Sequence, residues 1–296
     1  MLLHVGLVEW LVLLYLLAFT GMLVFTPVDR GTTPILILVL VVLALLVAAI
    51  VVYRGYLEGR PVFKFFFRAL IVAGVMIPFF QLREMIPMVN PEDMDAQLRA
   101  LDLWLFGGDA AVWFEQFATP FSSAWFAASY FGYYVVGGSF VVGMMLFCRR
   151  DMVFMEFGLV VLGTVCVGTI LYCVVPALGP YVYLADQFLG PLPDDSVVPF
   201  VHGTIQHGPL RDVFPSMHAG VPVAIFLFSA RYFRPAAVIC GLWMPHIVIS
   251  TMFLRYHYLI DVVAGILLAV FWFVAARPML RAYQRLRRGH FVHAGP

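Results

Sequence analysis

The sequence predicts an all-α polytopic membrane protein, a helix bundle of about eight transmembrane helices. Three observations predict it. Of the 296 residues, 63% are hydrophobic and only 12% charged, with a mean hydropathy of +0.95; a soluble domain has roughly 45–50% apolar and about 25% charged residues. Apolar runs of membrane-crossing length recur along the whole chain. Lys and Arg crowd the alternate segments between those runs, as the positive-inside rule requires.

The runs lie at about 7–26, 34–52, 63–82, 121–147, 153–175, 217–230, 236–254 and 259–276, and the sixth and eighth are short. No Lys or Arg precedes Arg30 and no small-residue cleavage site is evident, so the first run reads as a retained span and not a signal peptide. With the N-terminus inside, the cytoplasmic segments hold Arg54, Arg60, Lys64, Arg68, Arg149, Arg150, Arg231, Arg234, Arg277, Arg281, Arg285, Arg287 and Arg288. The other face holds Arg30, Arg83, Arg99, Arg211 and Arg255. Both termini are therefore expected in the cytoplasm. The organisation expected is two N-terminal transmembrane helices over 1–62, a six-helix core over 63–276, and a cytoplasmic Arg-rich tail over 277–296.

Two long, irregular segments, 83–120 and 176–216, fall on the extracytoplasmic side, and function concentrates in such loops. In the first, Met94, Leu98, Leu101 and Leu105 recur at helical spacing, Asp95, Arg99 and Asp102 take the other face, and Gly107-Gly108 end the pattern. It predicts an interfacial helix over about 93–106, with Trp104 and Trp113 at headgroup depth. Cys148, Cys166, Cys173 and Cys240 sit inside apolar runs and read as small hydrophobes, with no metal-ligand spacing. Lys+Arg of 18 against Asp+Glu of 17 gives no basic face for nucleic acid.

Ionisable groups at the membrane boundary are costly and mark functional sites. Phe214-Pro215-Ser216-Met217-His218-Ala219-Gly220 stands where an outer loop becomes the sixth span. A helix N-terminus there presents free N–H groups and a positive dipole end to a phosphate, and Ser216 can cap the helix or donate to the phosphate. Arg255-Tyr256-His257-Tyr258-Leu259-Ile260-Asp261 lies between the seventh and eighth spans. Helical geometry puts His257 and Asp261, at i and i+4, within reach of each other. A carboxylate on one imidazole nitrogen fixes the tautomer and frees the other nitrogen to attack an electrophile, with His218 to supply a proton. Taken singly, each group has a bland reading: a cap, a lone interfacial histidine, a helix-surface pair. Together, they place histidines at one depth on one face.

These strings resemble the type 2 phosphatidic acid phosphatase superfamily. Pro215-Ser216-Met217-His218 is similar to its second signature, and Ser250-x6-His257-x3-Asp261 with Val262 and Ala264-Gly265 to its third. The resemblance implies helical enzymes that cleave or transfer phosphate monoesters and diphosphates, usually without a metal and with no cofactor. It implies His257 as nucleophile, Asp261 as its orienting carboxylate and His218 as the acid toward the leaving oxygen. Two departures stand out: Thr251 follows the serine where arginine is usual, and the first signature, a Lys followed seven residues later by Arg-Pro, is missing. Thr251, the Phe-Pro-Ser-x-His-Ala string, Pro176-Ala177-Leu178-Gly179-Pro180-Tyr181 and the Leu101-Asp102 to Phe106-Gly107 stretch are more similar to the inositolphosphotransferase branch, which includes inositol phosphorylceramide synthase.

For the missing phosphate-binding cations, Arg211 and Arg255 are the candidates, beside Ser216, because the planar guanidinium fork suits phosphate. Arg255 points away from His257 in a continuous helix, so it serves only if the backbone bends near Tyr256. Arg83 is a weaker candidate, His202 and His207 are expected to be solvated, and His246 to be a buried, hydrogen-bonded residue. The function expected is a lipid phosphotransferase or phosphatase working through a phosphohistidine at the outer face, its partners being a lipid phosphate or phospholipid substrate and the bilayer. The acidic outer face would not steer a soluble anion inward, so lateral access from the outer leaflet is expected. The competing class is a transporter, in which the His and Asp residues would form an ion site; the absence of inverted halves in the sequence speaks against it.

Overall fold

A computed structural model describes residues 5–26, 32–194 and 196–293, with side chains through Arg287. Arg30, placed on the outer face by the charge count, lies outside the described residues, as does the side chain of Arg288. The helices are α1 (Leu7–Phe25), α2 (Thr32–Val52), α3 (Pro61–Phe79), α4 (Leu82–Val89), α5 (Asp95–Phe106), α6 (Ala110–Phe114), α7 (Pro120–Phe147), α8 (Asp151–Val174), α9 (Pro180–Tyr183), α10 (Val197–Ile205), α11 (Met217–Tyr232), α12 (Arg234–Phe253) and α13 (Leu259–His293). Among the described residues there is no strand, so the fold is the all-α bundle that the composition predicts.

Seven helices, α1, α2, α3, α7, α8, α12 and α13, are long and apolar enough to cross a membrane. The sixth run is short, as read: α11 has 16 residues. The eighth run is not. α13 continues for 35 residues, so the Arg-rich stretch extends the last helix. Its Arg, Ala, Gln and Leu residues are good helix formers, and the Tyr283 hydroxyl donates to the Val5 carbonyl, tying the stretch to the N-terminus.

Local signals set the boundaries. Pro61, Pro120, Pro180 and Pro235 stand in first helical turns, where a missing N–H costs nothing. Thr119 caps α7: its hydroxyl accepts from Ser122 N at 3.1 Å while Ser122 Oγ accepts from Thr119 N at 2.9 Å. Gly107, at φ 76°, stops α5 in the left-handed conformation that glycine tolerates.

The bundle is centred on α11, which packs against α7, α8, α12 and α13, while α1 joins α8 from the outside. α8 is the most buried span. α3 packs chiefly on α1 and α2, with smaller contacts to α8 and α7, so it associates with the N-terminal pair across the 62/63 division. At one end of the bundle, Glu156 of α8 accepts from Arg231, from the Tyr232 hydroxyl at 2.6 Å and from Arg277 at 3.3 Å, joining α8, α11 and α13. At the other end, α11 and α13 cross so closely that a Cβ on Gly265 would stand 2.2 Å from the Ser216 carbonyl oxygen, and one on Gly220 2.8 Å from the Gly265 oxygen. That crossing brings two helix N-termini together, and Ser216 N donates to the Asp261 carbonyl at 2.9 Å.

The crossing makes a specific prediction. Gly265→Ala forces α11 and α13 apart and costs about 1–3 kcal/mol, the usual range for overpacking, read as a lower unfolding midpoint in detergent. Gly138→Ala on α7, where a Cβ meets nothing within 4 Å, does not lower the midpoint, since alanine favours the helix over glycine.

Candidate active site

The site is built where α12 stops. Arg255 adopts φ 68°, a left-handed conformation that turns the chain. The N–H groups of Tyr256 and His257 then fold back onto the Thr251 carbonyl, at 2.9 and 3.1 Å. His257 is thereby held just ahead of the α13 N-terminus, 4% exposed. Asp261, fully buried in the first turn of α13, accepts from Tyr258 N at 2.8 Å, and the same Oδ2 lies 3.6 Å from His257 Nδ1. His218 stands in the first turn of α11, and its ring faces that of His257 with 6.4 Å between centroids. The structure thus brings His218, His257 and Asp261 into one cluster.

The pocket around them contains residues that the sequence reading passed over. Tyr130 stacks on His218 with 4.0 Å between centroids, and its hydroxyl lies 3.2 Å from Nδ1. Tyr133 packs at 4.3 Å from the same ring. Tyr130 takes up Nδ1, which leaves Nε2, a buried atom with no partner among the described residues, as the His218 nitrogen open to a ligand. The available signal was the string Tyr130-x2-Tyr133-Tyr134 inside an otherwise apolar span. Asp212, read from the sequence only as one of the acids of the outer face, also belongs to the site. It is half-buried, pairs through its backbone with Ala177, and lies near enough to His257 for their charges to interact. Burial pushes the Asp212 carboxyl up to about 6, against the lowering effect of His257. Burial likewise pushes His257 down to about 4, against the raising effect of Asp212. His257 is therefore uncharged at neutral pH, with a lone pair to offer.

The other three candidates are engaged elsewhere. Ser216 is fully buried and caps α11, its Oγ accepting from Ala219 N at 3.3 Å. Arg211 pairs with Asp93 at 3.0 Å and donates to the Pro91 carbonyl at 3.2 Å. The backbone does bend at Arg255, yet its guanidinium goes to Glu115 and the Gly190 carbonyl, both at 2.8 Å, and lies over the Phe188 ring at 4.0 Å. Arg83 donates to the carbonyls of Gln206 and Gly208. His202, expected to be solvated, is half-buried, with its ring 4.4 Å from that of Tyr181. His246 is half-buried and its Nδ1 lies 2.9 Å from the Leu242 carbonyl. Among the described residues no three His, Cys, Asp or Glu side chains converge as a metal site would require.

What holds the site in place is α5, and it does so with the face opposite Leu101 and Leu105. Asp95 and Asp102 are 1% exposed, whereas Leu101, Leu105 and Trp104 point outward. Asp95 accepts from Leu178 N and Gly179 N, both at 2.8 Å, and from the Tyr258 hydroxyl at 2.9 Å. Asp102 accepts from Leu259 N at 2.8 Å and Ile260 N at 2.7 Å, so it caps the helix that carries Asp261. Gly179, at φ 84°, allows the segment to pass the Tyr256 carbonyl, where a Cβ would come within 2.5 Å.

With this geometry in view, the comparison with protein families decides the affiliation. The PAP2 superfamily matches residues 96–275, more than half of the chain. The chain belongs to the PAP2 superfamily. The matched region begins in α5 and ends in α13, enclosing the histidine cluster, while α1 to α3 precede it. Members of this superfamily are phosphatases or phosphotransferases of lipid-like substrates, and the apolar helices make this one a multi-pass membrane protein. No curated protein and no solved structure matches the chain.

Asp102→Ala removes the acceptor of two buried N–H groups, and hydrogen bonds to a charged group contribute about 1.5–3 kcal/mol each. The unfolding midpoint should fall and turnover with it. Leu105→Ala, on the outward face, should change neither; equal loss in both variants would count against the orientation of α5.

Proposed function

We propose that the chain is a lipid phosphotransferase or phosphatase that works through a phosphohistidine on His257. The observation that carries this reading is the pair of histidines facing each other at two helix N-termini, with Asp261 on the Nδ1 side of one of them. His257 Nε2 attacks phosphorus, the N–P bond forms as the P–O bond to the leaving group breaks, and His218, held as the imidazolium beside the bound phosphate, gives its Nε2 proton to the departing oxygen and becomes neutral. In the second step a water or alcohol hydroxyl returns that proton to His218 as it attacks phosphorus and releases His257. Asp261 Oδ2, 3.6 Å from Nδ1, orients the ring once that gap closes to a hydrogen bond with phosphate bound, which makes Nε2 the attacking nitrogen. The N–H groups opening α11 provide positive potential for the equatorial oxygens.

Ser216, Arg211 and Arg255 enter this reading with different weight. Ser216 acts by shaping the α11 N-terminus. Either arginine would have to exchange its carboxylate, Asp93 or Glu115, for the substrate phosphate, an exchange between charge-assisted bonds of the same kind. The likeness of Thr251 and of the Pro176 to Tyr181 segment to the inositolphosphotransferase branch favours transfer over hydrolysis. The site is read as extracytoplasmic from the distribution of Lys and Arg.

Two experiments test the proposal. Purified protein is incubated with lipid phosphates, lipid diphosphates, phosphatidylinositol and long-chain alcohols, and the products are followed by lipid mass spectrometry and phosphate release. His257→Ala should lose at least about a thousandfold in turnover, in line with loss of a catalytic nucleophile; full activity in it would sink the mechanism. A new headgroup-bearing lipid without free phosphate means transfer, and free phosphate means hydrolysis. The second is a pH profile of kcat/KM. Because His257 must be uncharged to attack, activity is held at neutral pH and is lost as pH falls through the 4 to 6 range where Asp212 and His257 titrate. Asp212→Asn removes the charge that raises His257, so the acid limb should move to lower pH.

A further inference from the structure

At the opposite end of the bundle from the histidines lies a second cavity of about 310 Å³, bounded by α1, the Tyr53–Leu57 turn, α3, α7, α8 and α13. We propose that it binds the phosphate headgroup of an anionic phospholipid. Much of its wall, including Glu9, Arg54, Lys64 and Arg68, precedes residue 96, so it is built by helices outside the family match.

The charges in the wall do not balance. Arg54, Lys64, Arg68 and Arg287 face it, against Glu9, Glu58 and Asp151. Lys64 and Arg68, one turn apart on α3, share the single carboxylate of Asp151. Arg54 lies between Glu9 and Glu58, and its Nε is buried with no partner among the described residues. An uncompensated cation among apolar helices is costly, and an anion brought beside it relieves that cost. Arg68 is fixed by the carbonyls of Met145 and Cys148, at 3.1 and 3.0 Å, and lies 3.7 Å from the Phe154 ring centre. Asp151 and Glu58, by contrast, are 63% and 54% exposed. Each can turn to water and leave Lys64 and Arg54 to an incoming phosphate.

The remaining wall is apolar, with Ile71, Val72, Val141, Phe157 and Leu162. A free phosphate would leave that surface unused, whereas a phospholipid places its glycerol and first methylenes there. A zwitterionic headgroup brings no net charge to offset the excess cation. The end concerned is the one rich in Lys and Arg, where basic pockets between membrane helices meet anionic lipid.

The test is native mass spectrometry of delipidated full-length protein titrated with phosphatidylglycerol or with phosphatidylcholine of the same chains. The wild type should retain phosphatidylglycerol about fivefold more strongly, the effect of about one basic side chain on an anionic lipid. Lys64→Gln, which weakens the cationic entrance, and Val72→Phe, which fills the apolar wall, should each bring that preference close to one. His257→Ala should leave it unchanged, which separates this cavity from the histidine site. Equal retention of the two lipids by the wild type would overturn the proposal, as would an undiminished preference in both Lys64→Gln and Val72→Phe. Displacement of the lipid by millimolar inorganic phosphate would instead assign the cavity to free phosphate.

Discussion

Backbone N–H groups at a break in a membrane helix must find acceptors, because there is no water in the hydrocarbon to serve. In this chain three buried carboxylates meet that demand. Asp95 holds the segment that follows α8, Asp102 holds the first two N–H groups of α13, and Asp261 holds the N–H of Tyr258. Two interrupted stretches, one from each side of the pocket, are pinned to a single short helix, α5. The remaining geometry of the site follows from that anchorage: α13 can begin beside α11 only if its opening turn is satisfied from outside, and the contact of Gly220 with Gly265 then fixes how close the two N-termini come.

The same burial that makes the anchors necessary sets the chemistry. His257 and Asp212 are both pushed toward their neutral forms by desolvation, and each moderates the other through its charge. A neutral imidazole supplies the lone pair that nucleophilic attack on phosphorus needs. His218 is wrapped by Tyr130 and Tyr133, so one of its nitrogens is addressed from within the protein and the other is left for a ligand. No arginine is needed to hold these three side chains together; Arg211 and Arg255 brace the loops around the site through Asp93 and Glu115.

The two ends of the bundle therefore do different work with similar materials. At the histidine end, carboxylates accept backbone N–H groups and organise irregular chain. At the other end, Glu156 joins α8, α11 and α13 through Arg231, Tyr232 and Arg277, and the N-terminal helices enclose a cavity with an excess of cations. α13 runs the full distance between them, so its first turn supports the histidine cluster and its last turns border that cavity.

The sequence by itself located the long apolar helices, most of their boundaries within a few residues, and the histidines and aspartate to consider together, because hydropathy, prolines, caps and an i, i+4 spacing are all local properties of the chain. It did not determine which side of α5 is buried. The leucines and the aspartates were read only as opposite faces of an interfacial helix; the structure leaves Leu101 and Leu105 outward, where lipid suits them, and buries Asp95 and Asp102 where they meet unpaired N–H groups. The neighbours of His218 and His257, Tyr130, Tyr133 and Asp212, come from α7 and from the loop before α11, and no spacing in the chain relates them. Arg211 and Arg255 looked free because their carboxylate partners lie 118 and 140 residues away. Those facts were decided only by the tertiary structure, since they depend on which distant segments the buried polar groups had to meet.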